Sequence, residues 1–373
     1  MNNDLNSIKV PYADFSPTIN QVKPSLNIAF NKILDSGKFI LGEEVKNFEK
    51  VFADYCGTRF ASGLSNGTCS LHVVFRALGI NPGDEVITVP NSFIATAAAI
   101  EQIGAKPVFV DADLDFNIDP KKIEGSITSK TKAIVPVHLT GRPARIEEIL
   151  SIAKKNNLLV IEDAAQSVGA ELNGKRVGSF GDAASFSFHP LKNLHAFGDA
   201  GMITSSNFDV ISNLNLLKNH GLKDRSTCLK FGLNCRMDEM QASFLAIQLP
   251  LLDAWTNERV KLATIYNQEL ADCVIVPISN ANEKHVYQTY VIRADKRDEL
   301  KQFLNDNLIE ALVHYPVPIH LQPAAEHLGY KKGSFPVIEM LSQEILSLPL
   351  YPGMPANFQE KVIIKIKEFY GVN

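Results

Sequence analysis

Between about Arg59 and Ser205 the chain alternates short apolar runs with helical spacing. Strand chemistry is found in Glu85-Val86-Ile87-Thr88-Val89, Pro107-Val108-Phe109-Val110, Ala133-Ile134-Val135-Pro136-Val137 and Leu158-Leu159-Val160-Ile161. It recurs in Ala184-Ser185-Phe186-Ser187-Phe188 and Met202-Ile203-Thr204-Ser205. Residues 69–78, 94–103 and 146–155 lie between these runs and carry the spacing of helices. Several strands are apolar throughout rather than alternating, as suits a sheet covered on both faces. The order predicts an α/β fold, a mainly parallel sheet flanked by helices.

After Ser205 the texture changes. Residues 237–270 are helical in pattern with Pro250 inside, which predicts one kinked helix or two abutting ones. A polar stretch over 277–284 breaks the pattern. Beyond it come a strand over 286–292, a helix over 297–307, a strand over 311–314 and a closing helix over 357–370. The expected division is a large α/β domain over residues 1–250 and a smaller C-terminal α+β domain over 251–373. A length of 373 residues suits that division.

Composition narrows the function classes. Hydrophobic residues make up 45% and charged residues 21%, which excludes disorder, collagen-like repeats and a disulfide scaffold. A net charge of −4 and a pI near 6.2 give no global basic surface for nucleic acid. The start, Met1-Asn2-Asn3-Asp4, has no basic or apolar leader pattern, and no run of apolar residues is long enough to span a membrane. Five cysteines, odd in number and without a CxxC pair, suggest reduced, mostly buried thiols in a cytoplasmic protein. No metal site is expected.

Open α/β sheets bind ligands beyond the carboxyl ends of their strands. Three segments sit at such ends. Ser65-Asn66-Gly67-Thr68 opens a helix whose free N–H groups suit an anion, although alone it reads as an ordinary cap. Neither GxGxxG nor GxxxxGK[ST] occurs. Glu162-Asp163-Ala164-Ala165-Gln166 follows an apolar strand; its acid suits a metal, a ribose or a protonated ring nitrogen, or simply caps the next segment. Ser187-Phe188-His189-Pro190-Leu191-Lys192-Asn193 precedes Gly198-Asp199-Ala200-Gly201 and places a lysine in apolar, glycine-rich surroundings. Desolvation there frees an amine for Schiff-base chemistry, whereas most lysines are solvated surface groups. Jointly, Lys192, Asp163, the Gly67/Thr68 turn with Ser187, and Phe93 supply what pyridoxal 5'-phosphate needs: an amine, an acid for the ring nitrogen, an anion cup and an aromatic face.

At these residues the sequence resembles the DegT/DnrJ/EryC1/StrS sugar aminotransferases, a branch of fold-type I enzymes that use pyridoxal phosphate. The resemblance covers nearly the whole chain, in ordered blocks: Ser36-Gly37-Lys38-Phe39-Ile40-Leu41-Gly42, Asn66-Gly67-Thr68, Pro82-Gly83-Asp84-Glu85-Val86-Ile87 and Ser92-Phe93-Ile94-Ala95-Thr96. Ile161-Glu162-Asp163-Ala164-Ala165-Gln166, the Lys192 block and Asn219-His220-Gly221 follow. Asn234-Cys235-Arg236-Met237-Asp238-Glu239-Met240-Gln241 and His314-Tyr315-Pro316-Val317-Pro318-Ile319-His320 complete the series. By resemblance, Lys192 joins the cofactor and moves the proton, and Asp163 pairs with the pyridinium. Gln166 contacts the phenolic oxygen, Phe93 stacks on the ring, and Gly67, Thr68 and Ser187 hold the phosphate. Asn234 matches a residue that reaches the neighbouring subunit's phosphate, which implies a homodimer with composite sites. His314, Tyr315 and His320 match a segment that lines the sugar pocket. Cys69-Ser70, Leu191 and Arg142 depart from the usual pattern, and Arg142 stands where substrate contacts vary.

The implied activity is transfer of an amino group from L-glutamate to a nucleotide-linked keto-6-deoxy sugar. The block from His314 to Pro323 looks closer to relatives that act on 3-keto, often dTDP-linked, sugars than to those acting on 4-keto sugars. A dehydratase of the same fold carries histidine in place of the lysine, which Lys192 argues against; His189 suits the turn or pocket rim. A non-catalytic regulatory relative and a cysteine desulfurase are the other classes, and neither Cys228 nor Cys235 has the neighbours of a reactive thiol.

Overall fold

A computed structural model describes residues 7–277 and 280–372. Its centre is a seven-stranded sheet: β1 (Phe60–Leu64), β2 (Glu85–Thr88), β3 (Lys106–Phe109), β4 (Thr131–Ile134), β5 (Leu159–Asp163), β6 (Ala183–Ser187) and β7 (Gly201–Ser205). The spatial order is β1-β7-β6-β5-β4-β2-β3. From β6 through β5, β4 and β2 to β3 every pairing is parallel, while β7 runs antiparallel to both β6 and β1. The sheet is therefore mixed and mainly parallel. Alternate residues feed opposite cores: Ile87, Ile134 and Val160 pack into one cluster, Val86, Ala133 and Ile161 into the other. That period-two division over fully buried strands is why they read as unbroken apolar runs.

Helices close both faces: α1 (Ser16–Ser36), α2 (Glu43–Cys56), α3 (Gly67–Ala77), α4 (Ala95–Gln102), α5 (Ile146–Asn156) and α6 (Phe208–Leu217). Then come α7 (Glu239–Gln248) and α8 (Leu252–Leu270), joined by a 3-10 turn at Leu249–Leu251 that accommodates Pro250. The expected break at Pro250 is thus two abutting helices. The start of α2 is held from a distance, because the Glu239 carboxylate accepts from the Gly42 and Glu44 N–H groups, each at 2.8 Å. This meets donors that the helix cannot satisfy itself.

The C-terminal layer pairs β8 (Tyr290–Arg293) with β9 (Ile345–Leu348), antiparallel, and covers them with α9 (Arg297–Asp306) and α11 (Ala356–Tyr370). Its core takes in Tyr266 and Leu270 of α8 and reaches back to Val10, which bridges Ile309. The intervening α10 (Pro336–Glu344) packs Ile338 and Leu341 into the main-sheet core instead. Two expected strands are corrected. The run over 286–292 is a strand only from Tyr290, because Tyr287 has φ of 46° and breaks the extended path. The run over 311–314 contributes a single bridge, Leu312 to Ser347. Of the polar stretch over 277–284, Ile278 and Ser279 lie outside the described residues.

The expectation of mostly buried thiols also needs correction: Cys56 and Cys235 are buried, Cys69 and Cys273 half-buried, and Cys228 exposed, all as free thiols. No helix among the described residues is long and apolar enough to cross a membrane.

Candidate active site

The ends of β1, β2, β5 and β6 and the start of β7 open on one cavity of about 760 Å³, walled on its far side by the C-terminal layer. Of the eleven residues singled out from the sequence, it is lined by Lys192, Asp163, Gly67, Thr68, Phe93, Gln166, Ser187, His314 and Tyr315. These nine come from segments up to hundreds of residues apart.

Lys192 sits on the connection between β6 and β7. Its N–H donates to His189 O at 2.8 Å, and the His189 ring nitrogen Nδ1 accepts from the Leu191 N–H at 3.2 Å, so His189 shapes the turn while it lines the rim. Gln288 clamps the turn from the C-terminal layer: its Nε2 donates to Leu191 O at 2.5 Å and its Oε1 accepts from Asn193 N at 2.9 Å. Burial pushes the Lys192 amine down to about 8, against the opposing pull of Asp163. At neutral pH about a tenth of such an amine is unprotonated, far more than of a lysine in water, and that fraction is the nucleophile.

Asp163 ends β5 and is 3% exposed. Thr96 Oγ1 donates to its Oδ2 at 2.7 Å and the Ala165 N–H to its Oδ1 at 3.2 Å. With its proton committed, Thr96 must accept from Ser92, whose hydroxyl lies 2.8 Å away. Burial nevertheless raises the Asp163 pKa, outweighing Thr96, Ala165 and Lys192. A buried carboxyl whose own partners do not offset its desolvation fits a cationic N–H, such as a protonated pyridine, facing it. Behind it Glu162 is the structural acid of the pair: it accepts from Gly178, Phe180 and Gly181 N–H groups and lies 3.1 Å from His138.

The anion cup is also present. Asn66 caps α3, accepting from Cys69 N at 2.8 Å, and the Gly67 and Thr68 N–H groups come first in the helix, where no carbonyl lies four residues back. A Cβ at Gly67 would meet the Ser187 Cβ at 2.8 Å, so only glycine lets the helix start come this close to the serine. The donor set, the acid, the amine and the exposed Phe93 ring fit pyridoxal phosphate in one cavity. Gln166 is fixed at both ends: Oε1 accepts from Thr140 N at 2.8 Å and Nε2 donates to Tyr315 OH at 3.2 Å. Phe93 and Tyr315 rings lie 5.9 Å apart. His314 bonds Ser347 at 2.9 Å, and burial lowers its pKa to about 4, with Lys192 adding to the effect, so it is neutral at pH 7.

Two residues are not brought to this cavity. Asn234 is exposed and lies outside it, with its backbone bridged to Asn219. His320 is corrected: it is buried in the 3-10 turn Ile319–Leu321, 3.0 Å from Glu339 and edge-on to Phe335, a packing residue of α10. Arg142 also faces elsewhere, paired with Glu283 at 2.9 Å beside a second, smaller cavity.

Sequence reasoning passed over Thr96, Gln288 and Arg259. The first left a signal in its i, i+4 spacing from Ser92. Arg259, 9% exposed on α8, donates from one nitrogen to Tyr287 O and Leu350 O and reaches the cavity wall. In the sequence it is one charge in a polar helix.

The sequence matches the DegT/DnrJ/EryC1/StrS aminotransferase family over residues 21–367. It is 45% identical over 368 residues to the pleiotropic regulatory protein of Geobacillus stearothermophilus, covering 97% of this chain and 99% of that one. It is 41% identical over 362 residues to the dTDP-3-amino-3,6-dideoxy-alpha-D-galactopyranose transaminase of Aneurinibacillus thermoaerophilus, covering 96% and 99%. The crystal structure of Streptomyces venezuelae DesV in complex with a ketimine intermediate has a TM-score of 0.95 at 37% identity, covering 98% of this chain and 99% of that one.

Proposed function

Because the chain belongs to the DegT/DnrJ/EryC1/StrS aminotransferase family, we propose that it transfers an amino group from L-glutamate to carbon 3 of a dTDP-linked keto-6-deoxy sugar. The observation that carries this reading is the shared cavity of Lys192, Asp163 and the Gly67/Thr68 turn. Pyridoxal phosphate, when bound, supplies the aldehyde that takes up nitrogen and the ring that accepts the electron pair released at the substrate carbon.

The remaining work falls to the chain. The Lys192 amine takes a proton from the substrate carbon and returns it elsewhere, a role worth roughly 10²–10⁴-fold in rate. Asp163, oriented by Thr96 and Ala165, keeps the ring nitrogen protonated. Gly67, Thr68 and Ser187 hold the phosphate, Gln166 the phenolic oxygen, and Phe93 covers the ring. His314 and Tyr315 face the sugar, and neutral His314 adds no charge against an incoming ketone. Asn234, exposed on its own chain, suits a residue given to the partner's phosphate, and the working unit is a homodimer. No membrane or nucleic-acid partner is invoked.

The regulatory name of the Geobacillus relative supports a second reading, a ligand-binding regulator built on the same fold. Turnover separates the two. Purified protein with pyridoxal phosphate and glutamate is assayed against paired 3-keto and 4-keto dTDP sugars. Amination of the 3-keto sugar is expected; amination of the 4-keto sugar alone overturns the choice of carbon, and cofactor binding without turnover of either favours the regulator.

A further inference from the structure

Among the described residues that line the Lys192 cavity, Lys192 and Arg259 are the two lysine or arginine side chains. The Arg259 guanidinium is anchored through a single nitrogen: Nη1 donates to Tyr287 O at 3.2 Å and to Leu350 O at 2.9 Å. Both acceptors are neutral carbonyls. No carboxylate among the described residues pairs with this cation, and the group whose charge opposes its desolvation is the Tyr12 phenol. Burial lowers its pKa to about 10, so it stays charged at neutral pH. A buried charge without a counter-charge is costly, and a ligand that brings the missing anion removes that cost. Nε and Nη2 have no hydrogen-bond partner among the described residues, and neither is a sealed atom, so this edge opens on the cavity that the residue lines. It presents parallel N–H bonds, the fork that takes a carboxylate through both oxygens.

The anchor also ties this edge to the reacting end of the cavity. Tyr287, which holds Arg259, is followed by Gln288, which bonds Leu191 O and Asn193 N on either side of Lys192. The guanidinium and the lysine turn are therefore held by successive residues of one segment. Tyr12, beside Arg259, has its ring 5.7 Å from that of His314, so the same wall continues toward the residues facing the sugar. A nucleotide diphosphate carries more charge than one fork can meet, whereas a single fork on a residue 9% exposed suits a planar carboxylate. We propose that Arg259 binds a carboxylate of the amino-acid donor through Nε and Nη2 and so orients the donor's amino group in the Lys192 cavity. This rests on the reading of the chain as a transaminase fed by L-glutamate, and assigns the residue that recognises that substrate.

The test uses the full chain loaded with pyridoxal phosphate and follows, in a single turnover, the loss of covalently held cofactor absorbance on adding L-glutamate. Arg259→Lys is expected to raise the apparent glutamate Kd at least about tenfold, and Arg259→Gln about 10²-fold, with the limiting rate within about threefold. In steady state, kcat/KM for the keto sugar stays within about twofold. A merely structural anchor would lower the limiting rate and the constants for both substrates together, and that result overturns the assignment. A loss confined to the keto sugar gives the cation to the diphosphate and overturns it too, as does a glutamate Kd that stays within about threefold. Where Arg259→Gln does not fold, Arg259→Lys decides. If glutamate leaves the absorbance of the unsubstituted protein unchanged, the donor reading falls. Glutarate binding to cofactor-free protein, by calorimetry, then decides the carboxylate site: Arg259→Lys weakens it at least about tenfold, or the site falls as well.

Discussion

Lys192 and Lys218, at opposite ends of the segment around β7, both lose water in this fold, and of this pair only Lys192 is poised to react. Lys218, just past α6, is buried among Glu49 at 3.1 Å, Ser62 Oγ at 2.7 Å and Gly63 O at 3.0 Å. All three ammonium protons have acceptors, so the charge is structural, even though burial lowers its pKa. Lys192 faces a cavity, with Asp163 as the charge that opposes its desolvation. Burial is common to both; what differs is whether the protons have acceptors. An apolar neighbourhood read from sequence detects the first property and is blind to the second.

The largest test of that contrast is in turnover. Lys192→Ala is expected to lower the transamination rate by at least about 10²–10⁴-fold and to remove the absorbance of covalently held cofactor. Lys218→Met, assayed per folded molecule, keeps the rate within about threefold because no proton moves there. A comparable loss in both variants breaks the comparison. Stability should answer the other way round. Lys218→Met leaves Glu49, Ser62 and Gly63 O without their cation and should cost about 2–4 kcal/mol in urea unfolding.

In cofactor-free protein, Lys192→Met should instead gain roughly 1–3 kcal/mol at pH 7. The sign follows from the amine, near 8 when folded and 10.5 ordinarily. Between those values the unfolded chain binds more protons, so the penalty is fully present below pH 8 and fades as pH rises toward 10.5. A variant advantage that grew with pH would contradict the assignment.

The smallest effects separate two members of one sequence block. His320→Ala should cost about 1 kcal/mol in stability through Glu339 and Phe335, with kcat/KM unchanged within about twofold. Tyr315→Phe, which takes away the Gln166 Nε2 acceptor, should weaken cofactor binding by about threefold to tenfold while leaving stability alone. Equal losses of cofactor affinity in both would return His320 to the site.

The strand ends were legible because chemistry at the rim of a parallel sheet sits next to unbroken apolar runs, and Asp163, Lys192 and Gly67 all lie there. What escaped depends on pairings that no local pattern encodes. His314 and His320 share a stretch of a few residues, yet the 3-10 turn at Ile319–Leu321 turns the second toward α10, a helix whose short apolar face raised no periodic signal. β1 escaped as well, since Phe60-Ala61-Ser62-Gly63-Leu64 is mostly small residues. Gln288 lies just after Tyr287, whose left-handed backbone delays the expected strand to Tyr290, and the Gln288 side chain clamps the lysine turn.

The reversed direction of β7 has a consequence for how this enzyme can be altered. In a parallel crossover the polypeptide would leave β6, traverse a whole helix and re-enter from the opposite edge. Here Ser187 and Gly201 face each other across the antiparallel ladder, the Phe188 N–H donates to Ala200 O at 2.8 Å, and the nucleophile lies on the hairpin connection between them. Lengthening or shortening that connection would raise or lower the reactive nitrogen like a piston, with the sheet below it undisturbed.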